Sequence, residues 1–168
     1  MQAAAHVTPP KVVHTIPAKI DLQEEVKNAR KQLRVAAYCR VSTKQEDQLN
    51  SYDVQRRAYT DKINGEHGWT MVGIYADKGI TGTSVKKRDE FNRLMRHCKQ
   101  GKVDMIITKS VARFARNTLD CLKHTRLLKE HNVDVYFEEQ GIHSIQPGAE
   151  FYITIYGSIA QSESENIS

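Results

Sequence analysis

"VAAYCRVST", Val35 to Thr43, has the apolar run of a buried strand with no turn residue inside it. Arg40 interrupts the run, and Ser42 and Thr43 follow. Side chains alternate along a strand, so Tyr38, Arg40 and Ser42 share one side while Cys39 and Val41 take the other. If the strand persists to Ser42, a permanent cation and a hydroxyl are neighbours by geometry. A lone serine at a strand end is most often a cap or a turn. One that shares a strand face with an arginine is a candidate for chemistry.

On either side of this stretch the chain alternates between two periodicities. "LRVAAYCRV" reads as a strand, and "SYDVQRRAYTDKIN", starting at the caps Asn50 or Ser51, has helical spacing at Tyr52, Gln55, Tyr59 and Ile63. "TMVGIYAD" (Thr70–Asp77) is a second strand, followed by the Gly/Ser/Thr loop "KGITGTSVKKR". "DEFNRLMRHCKQGK" is helical, with Phe91, Leu94, Met95 and Cys98 on one stripe and Gly101 as its stop. "VDMIITKS" is a third strand, Asn117 caps the next helix with Asp120 in its first turn, and "VDVYFEEQ" is a fourth strand. Gly148 then precedes "AEFYITIYGSIAQSESENIS", too long for a strand and therefore helical despite its β-branched residues.

This rhythm predicts an α/β domain whose mostly parallel central sheet of about four or five strands is flanked by helices. Such sheets carry functional residues in the loops beyond the strand carboxyl ends. Residues 1–32, punctuated by Pro9, Pro10 and Pro17, read as an N-terminal extension; 33–147 form the core, and 148–168 begin a long helix. That helix reaches "ENIS" without a stop signal, as expected if a longer protein is truncated there.

The 168 residues suit one domain with a single core, and 39% apolar with 27% charged residues is a globular composition. A formal charge of +5 favours anionic partners such as nucleic acid, and equally fits a surface with surplus lysine. Three isolated cysteines, with no C-x-x-C pair, suggest neither a zinc site nor a redox motif. They suit small core residues in a reducing compartment. The N-terminus has no signal-peptide pattern, and no run approaches the ~18 apolar residues of a membrane span. A cytoplasmic protein with no membrane partner is the expectation.

Three strand ends carry candidate chemistry. The first is Arg40-Val41-Ser42-Thr43. In the second, "KSVARFARN" (Lys109–Asn117), Arg113 and Arg116 are three apart and project to one side of a helical turn. They either form a fork for phosphate oxygens or are two exposed arginines paired with carboxylates. Phe114 between them is expected to anchor in the core. The third is the loop from Asp77 to Arg88, where glycines and hydroxyls either turn the chain or allow close approach, and Arg88 is one more candidate phosphate ligand. There is no G-x-x-x-x-G-K-[ST], G-x-G-x-x-G or G-x-S-x-G, and the seven histidines have no metal-ligand spacing. No compact Asp/Glu cluster announces a two-metal site.

"YCRVST", "QLNSYDVQ", "DKGITGT" with the later Arg88, "TKSVARFARNT" and "GSIAQSESENIS" resemble, in this order, the serine recombinase family. The match runs over roughly residues 33–168, and "TKSVARFARNT" is most similar to the large serine recombinase and integrase branch. The resemblance implies a resolvase-like catalytic domain that cleaves and rejoins double-stranded DNA through a 5′-phosphoserine link, without ATP, metal or other cofactor. It implies Ser42 as nucleophile, with Arg40, Arg113, Arg116 and Arg88 as active-site arginines. Gln48 (or its rival Gln45) and Gln55 match glutamines near the scissile phosphate. Tyr38 and the strand-end acid Asp77 match further family positions. Glu163 matches the family's A-x-x-E on the long helix that builds the interface of a dimer and, in the active complex, a tetramer.

Two departures stand out. Ala112 occupies the position where many relatives carry an acid before the first arginine, which leaves that acid's proton-transfer role unassigned here. Ser164 and Glu165 follow Glu163 where relatives often place a basic residue. A recombinase-like assembly module that no longer cleaves, and another α/β enzyme acting on phosphate esters, are the alternatives these features leave open.

Overall fold

A computed structural model of the protein describes residues 32–41, 45–78 and 88–166. The extension before Gln32, Ser42 itself and most of the Asp77–Arg88 loop lie outside the described residues. β1 (Leu33–Val41) is followed by α1 (Gln45–Gly65), β2 (Trp69–Lys78), α2 (Asp89–Lys99) and β3 (Met105–Thr108). Then come the single turn α3 (Val111–Phe114), α4 (Thr118–Glu130), β4 (Asp134–Phe137), β5 (Ile142–His143) and α5 (Ala149–Asn166). The expected α/β architecture is what forms. α1 starts at Gln45, ahead of the anticipated caps Asn50 and Ser51. The fifth strand of the expected four or five is only two residues long, runs antiparallel to β4 and was not located in the sequence.

The sheet order is β2-β1-β3-β4-β5, and the first four strands are parallel. The chain adds β2 on one side of β1 and β3 on the other, so the winding reverses between β1 and β3. Crevices at such a reversal, beyond the carboxyl ends of the strands, are where open α/β sheets bind ligands. The two described segments that reach that end are Arg40–Val41 and Ser110–Arg116.

β1 is apolar on both sides because both of its faces are covered. Val35, Ala37 and Cys39 pack with Tyr59 and Ile63 of α1, whereas Ala36 and Tyr38 pack under α2, α3, α4 and α5. α2 buries the predicted stripe Phe91, Leu94, Met95 and Cys98. It ends at Gly101, whose φ of +66° lets its amide reach Cys98 O at 2.9 Å and the next amide reach His97 O at 3.0 Å. Phe91, Phe114 and Phe137 form an edge-to-face row with centroids 5.3 and 5.7 Å apart, and Tyr38 closes on Phe91 at 5.2 Å. Phe114 is fully buried, as expected of an anchor.

β2 contains one irregularity that matters for the site. Val35 pairs with Met71 but Ala36 pairs with Gly73, so Val72 is an extra residue. Before it, Trp69 and Met71 face the α1 side; after it, Ile74 and Ala76 do, and Tyr75 turns to the other face. The bulge therefore delivers Asp77 to the face that carries Tyr38 and α2.

Candidate functional site

Arg40 sits one residue before the end of β1, half-buried, on the α2–α5 side of the sheet. Burial pulls its guanidinium below the ordinary arginine value. Arg113 adds to that pull, Arg88 and Arg116 add less, and Tyr38 opposes them. The strongest charge acting on Arg40 is thus another cation. Beside it opens a cavity of about 380 Å³ whose wall includes Arg40, Arg116, Asn117 and Thr118 together with Gly157 and Ala160 of α5.

Arg113 and Arg116 do not share a helical face. α3 ends at Phe114, and Ala115 is extended at φ −126°, ψ 169°, so the spacing rule for a helical turn fails after one turn. The cause is Phe114, which must enter the aromatic row while the chain turns to begin α4. Arg113 is exposed and off the cavity wall, whereas Arg116 lies on it. Asn117 caps α4 as anticipated, its Oδ1 accepting the Asp120 amide at 2.8 Å. The positive end of that helix dipole therefore borders the same space as Arg40 and Arg116.

Arg88 is placed elsewhere. Its guanidinium donates to the Tyr38 hydroxyl at 2.9 Å and to the Phe114 carbonyl, and it is not on the cavity wall. The Tyr38 hydroxyl donates to Asp77 Oδ2 at 3.0 Å. Burial drives the Tyr38 pKa up to about 12 against the pull of Arg88, so the hydroxyl keeps its proton at neutral pH. Asp77 is buried and also accepts the Glu90 and Phe91 amides at 3.1 and 3.0 Å. It caps α2 in place of Arg88, the residue at the cap position, whose side chain makes no capping bond.

Gln55 is half-buried on α1, and Gln48 lies in the same helix with its side chain outside the described atoms. Glu163 is exposed near the end of α5 and does not reach the cavity. Ala112 does line it, so a methyl group stands where many relatives carry an acid. The structure adds a wall the sequence reading missed: Gly157 and Ala160 of α5. The only signal was their smallness, three residues apart on a helix. A Cβ on Gly157 would stand 2.4 Å from Thr118 Oγ1, so only glycine allows α5 this close to the start of α4.

The family described as Resolvase, N terminal domain, matches residues 35–168. This chain belongs to that family. Among curated resolvase relatives, the Transposon Tn3 resolvase of Escherichia coli is 30% identical over 135 residues, covering 80% of this chain and 66% of that protein. The R46 site-specific recombinase of Escherichia coli is 27% identical over 135 residues, covering 80% and 64%. The chain thus spans about two thirds of the length of these curated relatives. A resolvase family site-specific recombinase from Streptococcus pneumoniae superposes with a TM-score of 0.55 at 31% identity, over 80% of this chain and 90% of that one. The N-terminal catalytic domain of TP901-1 integrase shares the fold, with a TM-score of 0.56 at 22% identity, over 80% and 99%. The resolvase-like α/β fold anticipated from the motif order is therefore the one observed. No helix among the described residues is long and apolar enough to cross a membrane.

Proposed function

We propose that this domain is the catalytic part of a site-specific DNA recombinase, with Ser42 as nucleophile. The reading is carried by one observation: a half-buried arginine two residues before that serine, with Arg113 the strongest charge acting on it, on a cavity shared with Arg116 and the start of α4. A phosphodiester placed there would replace cation–cation repulsion with charge-assisted hydrogen bonds. In the proposed step, Ser42 Oγ attacks a DNA phosphorus, the bond to the 3′ oxygen breaks, and a 5′-phosphoserine link and a free 3′-OH result. Attack of a 3′-OH on that link reverses the step, so the bond energy is conserved without ATP. Arg40, Arg116 and Arg113 stabilise the charge that develops on the non-bridging oxygens. Gln55 and Gln48 on α1 are assigned supporting contacts to the DNA around that phosphate.

The same reading assigns self-association to α5 and a supporting role there to Glu163. Ala149, Ile153 and Gly157 face inward, while Phe151, Tyr152, Ile155, Tyr156 and Ile159 are 40–65% exposed along the opposite face. A helix apolar on both sides buries the second side against another surface. A second copy of this chain, in a dimer and then a tetramer on DNA, supplies that surface. The experiment that tests the function is covalent trapping of the full-length gene product on a duplex selected from a randomised library. Mass mapping is expected to place the nucleotide on Ser42, and Ser42→Ala is expected to abolish the adduct. A 5′-phosphoserine adduct that persists in Ser42→Ala refutes this assignment.

A further inference from the structure

Arg88 is enclosed by acceptors and an aromatic ring. Two of its nitrogens donate to the Tyr38 hydroxyl, at 2.9 and 3.3 Å, and one of these also donates to the Phe114 carbonyl. The plane of the guanidinium is covered by the Phe91 ring, with Cζ 3.6 Å from the ring centroid. The acceptor on the far side, Tyr38, is itself held by Asp77. The Phe114 carbonyl belongs to the last residue of α3, in the short extended link between Arg113 and Arg116. Arg88 therefore joins β1 to the segment that places Arg116 on the cavity wall.

We infer that Arg88 is a positioning residue that clamps the Phe114 carbonyl to Tyr38, fixing the spacing between Arg40 and Arg116, and does not itself contact the phosphate. The inference rests on the recombinase reading, but its chemistry stands apart from it. A guanidinium offers a planar fork that serves two acceptors and an aromatic face at once, which an ammonium does not. To reach a phosphate in the cavity, Arg88 would have to give up the ring contact and its bonds to Tyr38 and Phe114. Family resemblance places Arg88 with the phosphate-binding arginines; the observed contacts assign it to the layer behind them.

The first test uses this chain and inorganic phosphate, followed through the arginine Nε–H resonances. Arg40 and Arg116 are expected to shift with added phosphate while Arg88 stays in place; a shift of Arg88 as large as that of Arg40 overturns the inference. The second uses the full-length gene product on a selected duplex. Arg88→Gln is expected to slow formation of the Ser42 adduct about a hundredfold at saturating DNA, the scale of a small misplacement of a reacting group. The dependence of binding on salt is expected to keep its slope, whereas a lost phosphate contact lowers it by about 0.9. Arg88→Lys is expected not to restore the rate, because charge alone does not rebuild the fork. Tyr38→Phe removes one acceptor but keeps the ring. It is expected to slow cleavage too, and combining it with Arg88→Gln should add little. A reduced salt slope in Arg88→Gln, rescue by lysine, or full additivity each overturns the clamp. If the unsubstituted protein forms no Ser42 adduct, the recombinase reading fails, and the phosphate titration still decides the role of Arg88.

Discussion

Arg40 and Arg88 lie on the same side of the sheet, yet Arg88 is bonded to acceptors whereas the strongest charge acting on Arg40 is another arginine. Arg88 gives its protons to a hydroxyl and a carbonyl and rests on a phenyl ring, with Asp77 one bond further on. Arg40 is half-buried, and the strongest charge acting on it is Arg113. A fold under no demand but stability pairs a buried cation with acceptors, as at Arg88. Setting a half-buried arginine close to another arginine costs free energy, and an anion bound between them would offset that cost. The contrast separates a scaffold arginine from one proposed to bind phosphate, within a single residue type.

The sharpest way to break this contrast is to remove Arg40. Arg40→Gln is expected to lower cleavage about 10²–10³-fold, the effect of losing one donor to a charge that develops in the transition state. Its thermal stability should hold or rise, because a half-buried cation whose strongest charged neighbour is Arg113 has been taken away. Calorimetry on this chain and adduct formation by the full-length gene product measure the two effects. A fall in melting temperature with normal cleavage would make Arg40 a structural residue and remove it from the proposed phosphate site.

Asp77 tests the scaffold side. Its carboxylate accepts two amides of α2 and the Tyr38 hydroxyl. Asp77→Ala loses a helix cap, about 1 kcal/mol, and leaves a buried hydroxyl without its acceptor, about 1–3 kcal/mol. Denaturant unfolding should therefore report a loss of about 2–4 kcal/mol. Asp77→Asn, with its carbonyl at the Oδ2 position, still accepts the Phe91 amide and the Tyr38 hydroxyl, while its NH2 faces the Glu90 amide, so it should recover part of the loss. If asparagine destabilises as much as alanine, the charge of Asp77 matters and the capping account is wrong.

How legible these features were depended on whether one local period governed them. The α2 stripe, the Asn117 cap, the burial of Phe114 and the length of α5 follow from spacing within single elements, and the sequence alone locates them. The role of Asp77 did not follow, because it depends on the extra residue Val72. Apolar positions 69 and 71 share a face with 74 and 76, a break in alternation that reads as noise until the β1 register explains it. Arg113 and Arg116 misled for the opposite reason. Three-residue spacing suggests a shared helical face, but the burial of Phe114 ends the turn between them. Ser42, the proposed nucleophile, lies outside the described residues, so its place beside Arg40 rests on the alternation of β1. The α5 wall was hidden because glycine and alanine carry no chemistry of their own; what they contribute is closeness.

That closeness gives the smallest expected effect and the one most specific to packing. Thr118 Oγ1 is buried without a hydrogen-bond partner among the described residues, and the Cβ of any residue at 157 would meet it at 2.4 Å. Thr118 Cβ and Cγ2 would also be met at 3.1 Å, so rotating the threonine does not open the space. Gly157→Ala must therefore move α5 away from α4 at a cost of about 1–3 kcal/mol, typical of overpacking. Thr118→Ala alone should be nearly neutral, because the hydroxyl it removes satisfies nothing. The double variant should recover most of the stability lost in Gly157→Ala, a coupling that a double-mutant cycle measures directly. If the losses simply add, the two helices are not held at this point. Because Gly157 and Thr118 also wall the cavity beside Arg40 and Arg116, the same cycle scored by phosphate binding would tell whether the α4–α5 crossing sets the shape of the anion site or only the position of α5.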